Sequence, residues 1–76
     1  MNICTRINSA ARDMGSHVRA VRLPESGAVA LTVRAEDREG AAQEISAACW
    51  AAGVVVPADA DAVQDNRDGT FTAFIG

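Results

Sequence analysis

Four aspartates in the segment 59–69 come nearer to a chemical site than any other residues of this sequence: Asp59, Asp61, Asp65 and Asp68. Calcium-binding loops also carry carboxylates at alternating positions before a glycine. In this segment the glycine comes too late, and Thr70 stands where the closing bidentate glutamate of such a loop is needed. The pattern therefore indicates either solvated turns, which favour Asp, Asn and Gly, or an acidic contact surface.

Histidine and cysteine, the other residue types that commonly do chemistry, are too few to form a recognisable site. His17 is the only histidine, and together with Cys4 and Cys49 it cannot complete a four-ligand zinc site. No base lies near Cys49 in the sequence, which indicates a small core side chain rather than a nucleophile. No glycine-rich phosphate loop is present either. We therefore predict a protein that is not an enzyme and that binds no metal or cofactor.

The sequence also bears on the compartment of the protein. It contains no apolar run long enough to span a membrane, and its first residues lack the pattern of a signal peptide. We therefore expect a protein of the bacterial cytoplasm, with both cysteines reduced.

Charge is divided unevenly along the chain. Residues 1–34 contain five arginines and two acidic residues, a balance of +3, whereas residues 35–76 contain two arginines and eight acidic residues, a balance of −6. This asymmetry favours an electrostatic contact surface. Because lysine is absent, the arginines are scattered and only 4% of the residues are aromatic, direct binding to nucleic acid is not expected.

The spacing of apolar residues predicts the elements of the N-terminal half. A chain of this length forms one domain, residues 1–76. Residues 2–14 have the spacing of a helix that ends at Gly15, with an irregular arm as the alternative. The runs 17–23 and 28–35 have the pattern of strands, and a Pro-Gly turn between them makes an antiparallel hairpin. Arg19 and Arg34 are expected to lie across from each other on the outer face of that hairpin.

The C-terminal half is predicted to contain the main helix and the rest of the sheet. Asp37 is the expected N-cap of a helix over residues 38–52, which Gly53 ends. A short buried strand is expected at 54–56, and a second hairpin over 62–75. These elements, in the order (α)ββαββ, predict an α+β fold with one main helix packed across a small antiparallel sheet.

Trp50 is the residue of this helix with the clearest functional interest. At about 100° per residue it points away from the apolar stripe that packs on the sheet. Two interpretations stay open: the N-terminal helix covers the indole ring, or the ring is an exposed anchor at a protein interface, where tryptophan is enriched. Glu36 and Glu39 are expected to flank the same side.

The organisation of residues 17–56 resembles that of a known group of proteins. A hairpin ending in Val33-Arg34-Ala35-Glu36-Asp37, an alanine-rich helix over residues 40–48 and a short valine strand are similar to small phage and mobile-element proteins, among them anti-CRISPR proteins that act on type I systems. The likeness is one of size, acidity and ββαβ organisation, and it includes no diagnostic motif.

This resemblance implies a stoichiometric inhibitor without enzymatic activity. Such a protein binds a Cas protein of the type I surveillance complex, or its recruited nuclease, and blocks DNA access or nuclease recruitment. We expect Trp50 to supply an apolar anchor. We expect the acidic charge of the partner-binding surface to come from Glu36, Asp37, Asp59, Asp61, Asp65 and Asp68.

Two other classes of function remain open. The first is a small self-associating structural or regulatory module of phage or mobile-element origin, which would form a homodimer through an uncovered strand at 71–75. The second is an acidic, antitoxin-like partner of a basic protein.

Overall fold

In the part of the chain that the structure describes, two helices pack on one face of a four-stranded antiparallel sheet. The computed structural model describes residues 2–54 and 62–75. The sheet order is β1-β2-β4-β3, and every neighbouring pair is antiparallel. The α+β class is therefore confirmed, with two helices rather than one against the sheet. The elements are α1 Ile3–Met14, β1 Arg19–Arg22, β2 Val29–Arg34, α2 Arg38–Ala51, β3 Gln64–Asp65 and β4 Thr70–Ile75.

The N-terminal segment is a capped helix and not an irregular arm. The Asn2 side chain accepts a hydrogen bond from the Thr5 backbone N–H at 2.8 Å, which satisfies one of the free donors of the first turn. Gly15 adopts the left-handed conformation (φ 73°), and the N–H of Ser16 bonds back to the carbonyl of Ala11 at 2.8 Å. This is the Schellman arrangement that ends helices at glycine, as the sequence predicts.

The first hairpin forms and is antiparallel, as predicted, but its first strand is shorter than predicted. β1 begins at Arg19 instead of residue 17. The backbone N–H of His17 donates to the Glu44 carboxylate at 3.0 Å, so it does not extend the ladder with β2. In β2 the side chains of Val29, Leu31 and Val33 are buried on the helix side of the sheet, as their alternation predicts.

Helix α2 agrees closely with its prediction. The Asp37 side chain accepts from the Gly40 N–H at 2.7 Å and caps the helix. The helix ends in a second Schellman arrangement, in which Gly53 is left-handed (φ 75°) and the Val54 N–H bonds to the Cys49 carbonyl at 2.8 Å. Its buried stripe consists of Ala41, Ala42, Ile45, Ala48 and Cys49.

The chain after α2 corrects three predictions. Its first strand, β3, has only two residues, whereas β4 has the predicted bounds. The strand expected at 54–56 is not formed at Val54, which belongs to the helix end, and Val55 and Val56 lie outside the described residues. The prediction of an uncovered strand at 71–75 is wrong for Phe71 and Thr72, because β4 is an inner strand that pairs with β2 along its whole length and with β3 at these two residues.

Small side chains dominate the core. Among the described residues, six of the 15 buried apolar side chains are alanine and only one is leucine. Small residues let helices approach the sheet closely, but each buries little apolar area. The remaining core residues are Ile7, Val18, Val29, Val33, Ile45, Cys49, Val63 and Phe71.

Asn8 of α1 protects the outer edge of β1. Its side-chain amide donates to the Ala20 carbonyl at 3.0 Å, and its side-chain oxygen accepts from the Ala20 N–H at 2.8 Å. Edge strands expose such backbone groups and can pair with another chain through them. The amide therefore occupies, at Ala20, the donor and the acceptor that a further strand would use.

Removing this amide should destabilise the fold. We expect Asn8→Ala to lower the free energy of unfolding by about 1–2 kcal/mol, because both hydrogen bonds to Ala20 are lost at a partly buried edge. Urea denaturation followed by far-UV circular dichroism measures the change. Amide hydrogen exchange should accelerate more at Ala20 than at the core residue Leu31, which follows only the global loss of stability. An equal acceleration at both residues would contradict the role assigned to Asn8.

Candidate protein-binding surfaces

Trp50 is the most exposed large apolar side chain among the described residues, with 84% of its surface accessible. Helix α1 packs against α2 without covering the indole ring. Its Arg6 guanidinium instead reaches the end of α2 and donates to the Ala52 carbonyl at 2.6 Å. The interpretation that α1 buries Trp50 is therefore wrong, and the predicted orientation of Trp50 away from the sheet is confirmed.

The neighbours of Trp50 on the helix surface are exposed residues that leave its ring accessible. We call the face formed by Glu39, Gln43, Ala47 and Trp50 the α2 outer face; all four residues are exposed. They recur at the spacing that aligns side chains along one side of a helix. Because alanine stands one turn before Trp50, no long side chain from that position shields the indole.

The described residues of the predicted acidic set lie at one end of the molecule. Glu36 and Asp37 precede α2, and Asp65 and Asp68 belong to the β3–β4 turn region. A backbone hydrogen bond of 3.1 Å from the Ala35 N–H to the Gly69 carbonyl joins the two segments. We call these four residues the acidic end. Asp59 and Asp61, the other members of the predicted set, lie outside the described residues.

The acidic end and Trp50 lie at opposite ends of α2. At 1.5 Å per residue, Glu36 and Asp37 are about 20 Å from Trp50 along the helix axis. The expectation that Glu36 flanks the indole is therefore wrong. Glu39 does share its face, but about 16 Å away along the helix.

Three of the four carboxylates in the acidic end also accept hydrogen bonds from nearby backbone N–H groups. Asp37 caps α2, and the Asp65 carboxylate accepts from the Arg67 N–H at 2.8 Å. Asp68 accepts from both the hydroxyl and the backbone N–H of Thr70. The hydrogen bond from the Thr70 hydroxyl, then that from its N–H, lowers the pKa of Asp68. This carboxylate therefore stays ionised wherever a free aspartate does.

Nearby arginines reduce the net negative charge of the acidic end. Arg34, Arg38 and Arg67 are exposed close to the acidic end in sequence, and the charge of Arg34 contributes to the lowered pKa of Asp68. With Glu39 included, five carboxylates stand against three guanidinium groups, a balance of −2. The surface is acidic in balance but mixed in sign, so it suits a partner with basic residues more than a uniformly positive channel.

Cys49 has the environment of a core residue. Only 1% of its surface is accessible, and burial raises the pKa of its thiol. A raised pKa lowers the thiolate fraction, so the group is a poor nucleophile at neutral pH. Cys4 is only partly buried, and both cysteines are free.

The two thiols should therefore react at different rates. We expect a disulfide reagent such as DTNB to modify Cys4 readily in the folded protein and Cys49 only after unfolding in urea. Counting released thiolate before and after denaturation measures this difference, with Cys4→Ser as the variant that isolates Cys49. Rapid reaction of Cys49 in folded Cys4→Ser protein would contradict its placement in the core.

Two kinds of site are not found in the part of the chain that the structure describes. Residues 2–54 and 62–75 contain no group of three His, Cys, Asp or Glu residues placed to hold a metal ion. Among the same residues, neither helix has the length and apolar character that crossing a membrane requires. Comparison of the whole chain with protein-family models, curated proteins and solved structures finds no match.

Proposed function

We propose that this chain acts by binding another protein through the α2 outer face, without catalysing a reaction. The observation that carries the proposal is the 84% exposure of Trp50. Tryptophan combines a large rigid apolar surface with an N–H donor, and it is the residue type most enriched among those that dominate binding energy. Here it stands on a regular helix with caps at both ends, so its backbone is already ordered before binding.

The acidic end supplies the second element of the proposal. Its balance of charge steers a partner with basic residues and speeds association, with a rate that falls as salt rises. Because about 20 Å separate it from Trp50, a partner that contacts both must cover the length of α2. A surface of that length is typical of a standard protein–protein interface, not of a short-peptide site.

The class of partner follows from the resemblance to small anti-CRISPR proteins. We propose a Cas protein of a type I surveillance complex, or its recruited nuclease, as the partner, and inhibition by occlusion as the result. The 67 described residues form a small folded scaffold. A scaffold of this size is compatible with a stoichiometric inhibitor. The partner class rests on organisation alone, whereas the binding surface rests on the position of Trp50.

The test uses purified components. Surveillance complexes and nucleases of several type I subtypes are immobilised, and binding of the chain is measured at 50 and 500 mM NaCl together with DNA binding by the complex. We expect one complex or nuclease to be bound, more weakly at high salt, and inhibited at a one-to-one ratio. Lysine at Asp59, Asp61 and Asp65 together should abolish inhibition.

Two outcomes would contradict this proposal in different ways. Absence of binding to every complex and nuclease removes the Cas partner. If, in addition, the mass from sedimentation and the melting temperature from thermal unfolding both rise with protein concentration, the chain is a self-associating module. Trp50 then serves contacts between copies.

A further inference from the structure

The face of the sheet turned away from both helices bears a row of apolar side chains. Strand register places Val21 beside Ala30 and Ala30 beside Phe74. Val21 is 52% exposed and Phe74 is 54% exposed. Adjacent strands lie about 4.8 Å apart, so the two larger side chains stand about 10 Å from each other across Ala30. This row is the apolar half of what we call the open sheet face.

The other half of the open sheet face is basic. Arg19 and Arg34 lie on the outer face of the hairpin, as predicted. The expectation that they lie across from each other is wrong, because Arg19 pairs with Thr32 and Arg34 lies two residues further along β2. Both arginines, with His17 and the hydroxyl-bearing residues Thr32 and Thr70, line a shallow depression of about 380 Å³. Among the described residues no carboxylate lines this depression, although Asp68 is hydrogen-bonded to Thr70 at its margin.

Hydrogen bonds among neighbouring side chains fix the surface between the two halves. The hydroxyls of Thr32 and Thr72 are 3.1 Å apart, and the Asn66 amide donates to Thr72 at 2.8 Å and to Thr70 at 3.1 Å. These polar groups are paired with one another. The open sheet face is thus a rigid surface with apolar contacts at one end and guanidinium donors at the other.

We propose that the open sheet face binds an acidic segment of another protein that also carries an apolar side chain. Its carboxylates would pair with Arg19 and Arg34, whose planar groups bind carboxylates through two parallel hydrogen bonds. Its apolar side chain would cover Val21 and Phe74 and remove them from water. This surface lies on the opposite side of the sheet from α2, so it is separate from the α2 outer face.

The charge of the open sheet face favours an acidic protein segment over a second copy of the chain and over a nucleic acid. A second copy stacked basic half on basic half would bring like charges together, which is unfavourable across an interface, and one stacked on the apolar row alone would leave Arg19 and Arg34 without acidic partners. A nucleic acid would meet a chain of net charge −3 and, on this face, the single aromatic ring of Phe74, whereas single-strand binding surfaces use several stacking rings in a positive groove. An acidic segment satisfies both the charge and the apolar row.

The experiment is a selection of 16-residue peptides from a random display library on the immobilised full chain. We expect enriched peptides to contain two or more acidic residues close to an aromatic or aliphatic residue. Their dissociation constants, measured by fluorescence anisotropy, should rise about 30-fold or more for Arg19→Ala/Arg34→Ala and about tenfold for Phe74→Ser. Val21→Ser serves as a second apolar variant if Phe74→Ser is poorly folded.

Matched controls separate this surface from the proposed function. Arg38→Ala removes an exposed arginine from α2, and Trp50→Ser removes the anchor of the α2 outer face. Both should leave peptide affinity within twofold of wild type. Peptide-induced NMR shifts should fall on β1, β2 and β4, which reports the surface without any substitution.

Several results would overturn the proposal. The selection could enrich no peptides, or only peptides without acidic residues. Arg19→Ala/Arg34→Ala could bind the peptides as tightly as wild type, or the peptide-induced NMR shifts could be confined to α2. Tighter binding of a dT12 oligonucleotide at the same residues would assign the face to nucleic acid instead. Dimerisation that is lost in Phe74→Ser would assign it to a second copy. A failure of Cas binding leaves each of these readouts unchanged.

Discussion

Trp50→Ser should weaken binding of the protein partner by about 30-fold or more, which corresponds to about 2 kcal/mol of binding free energy. The indole is 84% exposed, so it contributes little to folding and is available in full to an interface. Substitutions at such positions change the free energy of unfolding by about 0.5 kcal/mol or less. Surface plasmon resonance on the partner, together with urea denaturation of the free chain, measures both quantities.

Met14→Ser is the matched control for this substitution. Met14 is also an exposed large apolar residue, at 46%, but it lies at the end of α1. Met14→Ser should leave the affinity for the protein partner within twofold of wild type. Acrylamide should quench Trp50 fluorescence almost as well in the folded as in the unfolded free chain, and poorly in the complex. Full affinity of Trp50→Ser, or unchanged quenching on binding, would remove Trp50 from the interface.

The two proposed surfaces lie on opposite sides of the fold, and their charges differ. The α2 outer face is continuous with the acidic end through Glu39, whereas the open sheet face carries Arg19 and Arg34. The uneven distribution of charge along the chain thus becomes a difference between two surfaces. The α2 outer face and the open sheet face do not overlap, although the acidic end adjoins the open sheet face where Asp68 accepts a hydrogen bond from Thr70.

Local patterns were sufficient to predict much of the fold. The alternation in β2, the Asp37 cap and the glycine at position 53 act within a few residues, and each forms as predicted. The start of β1 was not predictable in this way. It depends on Glu44, which accepts the N–H of a residue 27 positions earlier in the chain. The position of β4 inside the sheet likewise depends on strand order, which local patterns do not contain.

The candidate surfaces were predictable only in part. Helical geometry gave the direction of the Trp50 side chain, but its exposure depends on where α1 packs. The same geometry also separates Glu36 from Trp50 by the length of α2. Asn8 carries no signal in the sequence, because its role requires the neighbouring edge of Ala20. For the open sheet face, alternation along β4 puts Phe74 opposite the buried Phe71 and Ala73, but only the packing of both helices on one side leaves that face free of helices.

Leu31→Ala should have the largest effect on stability of the substitutions considered. Leu31 is fully buried in the central part of the sheet, and its cross-strand neighbours are Ala20 on β1 and Ala73 on β4. These alanines cannot move enough to fill the space, so a cavity remains. We expect a loss of about 3–5 kcal/mol. A domain of this size has about 4–11 kcal/mol in total, so the substitution should remove a large part of the free energy of unfolding.

Far-UV circular dichroism during urea denaturation measures this loss, because the fluorescence of exposed Trp50 responds weakly to unfolding. Val21→Ala is the control: it removes a similar apolar group from the same sheet at a residue that is 52% exposed, and it should cost less than about 1 kcal/mol. Equal losses for the two variants would mean that the helices do not seal the Leu31 side of the sheet. A large loss for Leu31→Ala alone would show that this alanine-rich core depends on one large side chain, because no neighbour can replace its volume.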